Sequence, residues 1–356
     1  MKILVYDVAA EDGGGLFILK QFYNDVLLRN DDNQWFFLVS NDSIKSKGNI
    51  IVKEYDYVKK SYLHRWLFES IKLKTILKKI KPDLVISLQN MPIKRFNGKQ
   101  FIYLHQSLQF CPKRFSLFKS EERGLAFRQK IICNIYKKNL SKADHIFVQT
   151  NWIKDSTKKW LKIHGDKITI VPISVNMIND IKRKYEGQTS RVFFYPARAE
   201  KYKNHEVIIE ACRKLISSGV MDFKVIFTIN KEDGPYSARI IELSKGLPIE
   251  FIGNVPYKEI WKYYAKTILL FPSYLETCGL PMLEVRAIGG RVIASDMPFS
   301  HENLDGYENV TFFPYDNSDE LAQKMKLYLE FPNYIVPKDK KTVCYNNLVE
   351  SMLERI

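Results

Sequence analysis

Long hydrophobic runs are missing from this 356-residue chain. No stretch approaches the ~20 apolar residues that cross a bilayer as a helix. The opening, MKILVYDVAAEDGGG, is apolar only briefly and meets Glu11 and Asp12 at once, which makes a poor secretory signal. Cysteine is scarce and scattered. Cys111, Cys133, Cys212, Cys278 and Cys344 lie far apart with no CxxC pair, so free thiols in a reducing cytosol are expected, not a disulfide frame or zinc site. No two aspartates flank a single residue, so the DxD pattern that holds a metal–diphosphate is lacking. HExxH, the Walker A loop and GxSxG are absent as well. Gly and Pro are ordinary at 16 and 14, and no internal repeat or low-complexity tract is found.

What is there is globular. Apolar residues make up 46% and charged residues 27%, and the length suits two domains. The net charge of +15 is unevenly spread. Residues 1–180 carry 31 Lys and Arg against 17 Asp and Glu, whereas residues 181–356 carry 24 against 23. The first half therefore holds nearly the whole excess, which makes either a plain solvated basic surface or a face for something anionic, lipid phosphate or an acidic membrane surface; no recognised nucleic-acid motif is present, so nucleic acid is not expected.

Apolar runs at Ile3–Val8, Trp35–Val39, Leu84–Ser87, Phe101–Leu104, His145–Val148 and Ile168–Val171 read as buried parallel strands. Helical patterns separate several of them, at Leu16–Leu28, Ser61–Lys81 and Arg123–Leu140. A second series follows a polar stretch at Asn176–Ser190, read as a linker. Its strands are Val192–Tyr195, Lys224–Thr228, Ile249–Gly253, Thr267–Phe271 and Val292–Ser295. Its helices are His205–Ser217, Lys258–Ala265, Pro281–Ile288 and Ser318–Tyr328. The expected fold class is α/β, with two doubly wound Rossmann-like domains facing across a cleft. The boundaries are 1–175 for an acceptor-binding domain and 176–340 for a nucleotide-sugar domain, with a closing helix at 341–356 returning to the first.

The stretch FPSYLETCGLPMLEVRAIGGRVIAS, from Phe271 to Ser295, is the most informative. A strand ends at Pro272-Ser273, a loop carries Glu276, and Gly279 allows a tight turn. Pro281 then suits the first turn of a helix. Free amides at Gly279 and Leu280 would make an anion site at the helix N-terminus. Glu276 and Glu284, the latter expected in the first turn, cannot bind a phosphate but can accept hydrogen bonds from sugar hydroxyls.

This segment resembles the signature of the family 4 retaining glycosyltransferases, which have the two-domain GT-B fold. The resemblance implies that Glu276 contacts the donor sugar, that Glu284 binds the ribose, and that the Gly279 and Leu280 amides hold the diphosphate. Cys278 stands where the family often has an aromatic residue. A second stretch, Tyr195 to His205, resembles the family's basic motif: Arg198 and Lys203 would neutralise the diphosphate, with Ala197 and Asn204 in place of glycines. Fixed cations suit this role because a nucleotide diphosphate leaves well only when its growing charge is met. Gly13-Gly14-Gly15, after the first strand, matches the position of the family's glycine loop, so Gly14 and Gly15 are nucleotide-sugar candidates. His105, after another strand, matches a histidine that touches the donor sugar or assists the acceptor. Base contacts are expected from backbone around Gly253–Val255.

Two basic segments interleave aromatic residues, Lys53–Lys81 and Lys113–Lys119. Each suits an anionic membrane face; a helix packing its apolar stripe on the sheet explains the first equally well. The reading is a metal-independent retaining transferase with no cofactor. It would move a sugar from a nucleotide diphosphate sugar to a glycan acceptor, lipid-linked, in capsule- or O-antigen-type assembly. Its place would be the cytoplasm, peripheral on the inner membrane face. The alternatives are a sugar-nucleotide epimerase or hydrolase on the same fold, or a non-catalytic basic protein binding membrane or nucleic acid.

Overall fold

A computed structural model describes residues 1–356 except 12, 30, 95, 174–189 and 331–346. The linker expected at 176–190 therefore falls almost wholly outside the described residues, as does the start of the closing helix. The chain divides into two units: Met1–Gln106, Ile131–Ile173 and Cys344–Ile356 form one, and Ser107–Lys130 with Ser174–Val343 the other.

Among the described residues, the first unit contains a seven-stranded sheet. Its strands are β1 (Lys2–Asp7), β2 (Gln34–Val39), β3 (Ile50–Glu54), β4 (Leu84–Ser87), β5 (Lys99–Leu104), β6 (His145–Val148) and β7 (Ile168–Ile170). They are ordered β3-β2-β1-β4-β5-β6-β7 and all pair in parallel. The second sheet has β8 (Val192–Tyr195), β9 (Lys224–Phe227), β10 (Ile249–Phe251), β11 (Ile268–Phe271), β12 (Val292–Ser295) and β13 (Val310–Phe313) in the order β10-β9-β8-β11-β12-β13, again parallel. Strands covered on both faces need continuous apolar runs, and Leu4, Val5, Val85, Ile86, Phe193, Phe194 and Leu270 are accordingly without exposure. In each sheet the order reverses beside the first strand, between β1 and β4 and between β8 and β11. That switch point, at the carboxyl ends of the strands, is where such sheets bind ligands.

Several expectations are corrected. Gly13-Gly14-Gly15 is not a loop: the helix runs Gly13–Leu28, so the three glycines form its first turn. β3 and β13 are additional strands, short or partly polar, with weak apolar signals. Ser107–Lys130, expected in the first domain, groups with the second unit. There Arg239 pairs with Glu121, Arg128 pairs with Glu200 at 3.2 Å, and the Lys113 ammonium lies 4.8 Å from the Tyr274 ring centre and 4.9 Å from that of Tyr315.

The stretch Ser61–Lys81 is helical from Tyr62 to Ile80, with a π turn at Phe68–Lys72. Ser61 caps it by accepting from the His64 amide. It presents two faces. Phe68, Leu73, Ile76 and Ile80 join the core beneath β1, while Tyr62, Leu63, Trp66 and Ile71 are exposed. The closing helix is Leu348–Leu353; within the first unit it packs on the helix Gly13–Leu28, where Glu350 pairs with Arg29 at 2.7 Å.

Candidate functional site in the second unit

Two loops leave the switch point of the second sheet: one after β8, the other after β11. Backbone and side-chain bonds lock them together. The Tyr274 amide donates to the Tyr202 carbonyl at 3.1 Å, and the Ser273 hydroxyl donates to the same oxygen at 3.2 Å. The Asn204 side-chain amide donates to Pro272 O at 3.2 Å and to Tyr315 O at 2.6 Å. Asn204 has φ 60°, in the left-handed region. Glycine is the usual occupant of such a position, and asparagine is the side chain that tolerates it best. This accounts for the departure from the family pattern at this residue.

The first loop ends in Lys203, whose Nζ donates to Glu276 Oε1 of the second loop at 2.5 Å. Both side chains are largely buried. Two residues singled out by different motifs are thus one ion pair. Arg198 is exposed, three residues past β8, and its positive charge reaches the Tyr202 hydroxyl.

The second loop ends at Gly279, φ 75°, the N-cap of the helix Leu280–Ala287. A Cβ at Gly279 would sit 2.5 Å from the Met282 methyl carbon. No side chain caps this helix, so its positive end is open to an anion. Cys278 is buried, which pushes its thiol up to about 12, and its carbonyl accepts from Asn303. It is a packing residue holding the loop.

Glu284 lies in the second turn of that helix, not in the first as expected. It is 4% exposed. Its Oε1 accepts from the Tyr257 hydroxyl at 2.9 Å and its Oε2 from the Tyr264 hydroxyl at 2.8 Å. Burial raises its pKa, and the two phenols pull it partly back. Sequence reasoning missed both tyrosines. The available signal was their spacing, Tyr257, Trp261, Tyr264, which places all three on one face of the helix Tyr257–Tyr264.

The remaining candidates lie in the first unit. His105 follows β5; its Nε2 lies 2.7 Å from the Leu88 carbonyl and its ring stacks on Tyr103. The Asn90 side-chain amide nitrogen lies 3.3 Å from the same Nε2, and its oxygen accepts from the His105 backbone amide at 2.7 Å. Burial lowers the pKa of the ring, and the bond to the Leu88 carbonyl opposes the shift. A Cβ on Gly15 would touch the His105 ring at 3.7 Å, so these two candidates are neighbours, while Gly14 has open space around it. Among the described residues, no cluster could hold a metal ion, and no helix is long and apolar enough to cross a membrane.

Residues 177–345 match the family model described as "Glycosyl transferases group 1". The chain is 26% identical over 183 residues to the O-antigen chain mannosyltransferase RfbU of Salmonella typhimurium, a match spanning half of each chain. Sucrose-phosphate synthase from Thermosynechococcus elongatus superposes with a TM-score of 0.76 at 18% identity, covering 99% of this chain and 98% of that one. Anabaena HepE, solved with UDP and glucose, gives 0.70 at 15% identity over the full length of both. The structural likeness carries the fold alone: two Rossmann-like units of the GT-B type, the second of which matches glycosyl transferases group 1 and bears the Lys203–Glu276–Glu284 constellation.

Proposed function

We propose that this chain is a retaining glycosyltransferase that moves a sugar from a nucleotide diphosphate sugar to a glycan acceptor without a metal. The observation that carries the reading is the ion pair of Lys203 with Glu276 beside the uncapped N-terminus at Gly279, with the buried carboxylate of Glu284 one turn further on. Arg198, Lys203 and the Gly279 and Leu280 amides supply the positive field that a departing diphosphate needs. Glu276 accepts from the hydroxyls of the donor sugar, and Glu284 from those of the ribose. Lys203 and Glu276 satisfy one another; on binding donor, each turns to its own charge or hydroxyl partner. Within the first unit, His105 and its helical neighbour Gly15, with Gly14 next in the same turn, are the residues suited to touching an acceptor. The acceptor hydroxyl attacks from the face that the diphosphate leaves, so the anomeric configuration is kept.

The likeness to an O-antigen chain mannosyltransferase favours a lipid-linked polysaccharide acceptor. The exposed Tyr62, Leu63, Trp66 and Ile71, set among lysines, are the part of the first unit suited to the surface of an anionic membrane. A thermal-shift panel with UDP, GDP, dTDP and CMP tests the donor site. A ligand at ~100 times its Kd adds ~2.7 kcal/mol, which moves the melting point by several degrees. One diphosphate should stabilise the wild type and not Glu284→Ala. A full panel without a shift rejects the donor site. Retained transfer activity in Arg198→Ala rejects the leaving-group role.

A further inference from the structure

We propose that the Tyr257 hydroxyl is a placeholder for the ribose: it caps Glu284 and yields its place when the nucleotide binds. The inference rests on the assignment of Glu284 to the ribose made above. A buried carboxylate with an unpaired oxygen is costly, and here each oxygen accepts one phenol: Oε1 from Tyr257 and Oε2 from Tyr264. The two phenols are not equivalent. Tyr264 is fully buried and wedged between the rings of Phe194 and Trp261, each at 5.9 Å, so it is a fixed donor that orients the carboxylate. Tyr257 is 43% exposed. It is the first residue of its helix, follows Pro256, and meets Trp261 edge-on at 6.3 Å. Of these two partners it alone reaches solvent.

Glu284 itself is almost closed off, so a ligand hydroxyl reaches Oε1 through the position that the Tyr257 hydroxyl holds. Binding then exchanges one O–H donor to the carboxylate for another. The exchange keeps Glu284 paired in both states, and it tempers affinity. It also penalises a ligand without sugar hydroxyls, because that ligand displaces the phenol and returns nothing. Tyr257 is thus a positioning residue that sets how strongly a nucleotide must present its diol.

The test is titration calorimetry of UDP and GDP, each beside its 2′,3′-dideoxy analogue, on the wild type and Tyr257→Phe. The variant keeps the ring and leaves Oε1 waiting for a donor. One hydrogen bond to a charged group corresponds to about a tenfold change. Tyr257→Phe should therefore bind the ribonucleotide about tenfold more tightly than the wild type, with a correspondingly larger preference over the dideoxy form. A wild type that binds neither diphosphate overturns the transferase reading and this inference with it. A wild type that binds ribo and dideoxy forms equally overturns the Glu284 assignment, and the inference again falls. A wild type that prefers the ribo form, with a variant that gains nothing or weakens, overturns the placeholder alone. Should Tyr257→Phe fail to fold, 3-fluorotyrosine placed at position 257 of the otherwise native chain gives a second readout. Its 19F resonance should shift toward that of a solvent-exposed ring on adding the nucleotide; an unmoved resonance overturns the inference.

Discussion

Asp7 closes β1 with a carboxyl group that is 2% exposed. Its Oδ1 accepts from the Ala10 amide at 3.1 Å. Burial drives its pKa from the ordinary carboxylate range to about 7; the loop amides, Arg65 and Lys59 oppose the rise without cancelling it. The sign follows directly. The unfolded chain releases this proton near pH 4 and the folded chain near 7. The stability it contributes is complete below pH 4 and is lost as pH rises toward 7, on the order of 1.4 kcal/mol per pH unit in that window. Asp7→Asn keeps the acceptor for Ala10 and removes the titration. Chemical denaturation at several pH values should show the variant gaining on the wild type from pH 4 to 7 and holding level above. A constant difference between the two would reject the assignment. At this scale the sequence was only partly legible. Arg198, Lys203, Glu276 and Glu284 stand in spaced motifs, so they could be named. Tyr257 and Tyr264 share a helix face by their spacing, but their role depends on the Glu284 carboxylate, 27 and 20 residues further along the chain.

The helix Leu280–Ala287 owes its start to Gly279. With φ at 75° and the Met282 methyl where a Cβ would go, the position admits glycine alone without rearrangement. Gly279→Ala should cost about 1–2 kcal/mol for the left-handed backbone, and more where Met282 cannot yield. The loss should be visible as a lower urea midpoint. It should also weaken nucleotide binding, since the same turn aims the helix end. An unchanged midpoint would mean that the turn relaxes freely. The strands with continuous apolar runs were readable because both faces are buried. β3, with Lys53 and Glu54, and the glycine-led first turn at Gly13 were not. In β3, pairing with β2 overrides a weak local signal. The helix Tyr62–Ile80 packs one face into the core, as the packing reading of its composition expects, and leaves the other in solvent.

For the whole molecule, the excess of positive charge in residues 1–180 is the property that folding leaves on the surface. Charges facing an anionic sheet of lipid act within about 10 Å at 0.1 M salt. The chain should therefore sediment with vesicles rich in anionic lipid at low salt and detach as salt rises. Trp66→Glu with Ile71→Glu, both at exposed positions, should abolish sedimentation while leaving nucleotide affinity and melting temperature within error. Equal sedimentation with neutral vesicles would reject the electrostatic contribution. The two-domain plan was legible from alternating strands and helices. The assignment of Ser107–Lys130 to the second unit was not, because it depends on Arg239, Glu200, Tyr274 and Tyr315, all far along the chain.

The π turn at Phe68–Lys72 bears on how this chain tolerates changes of length. A π turn holds one residue more than the α-helical turn it replaces. Phe68 on one side and Leu73 and Ile76 on the other already meet the same core. A single deletion inside the turn, at exposed Ile71 for instance, would return the helix to regular winding with those contacts kept. The same deletion at Thr75 would rotate Ile76 and Ile80 by about 100° away from the sheet, since each α-helical residue turns by that angle. The helix thus carries one residue of slack, placed on the solvent side, where the chain can shorten without disturbing what it covers.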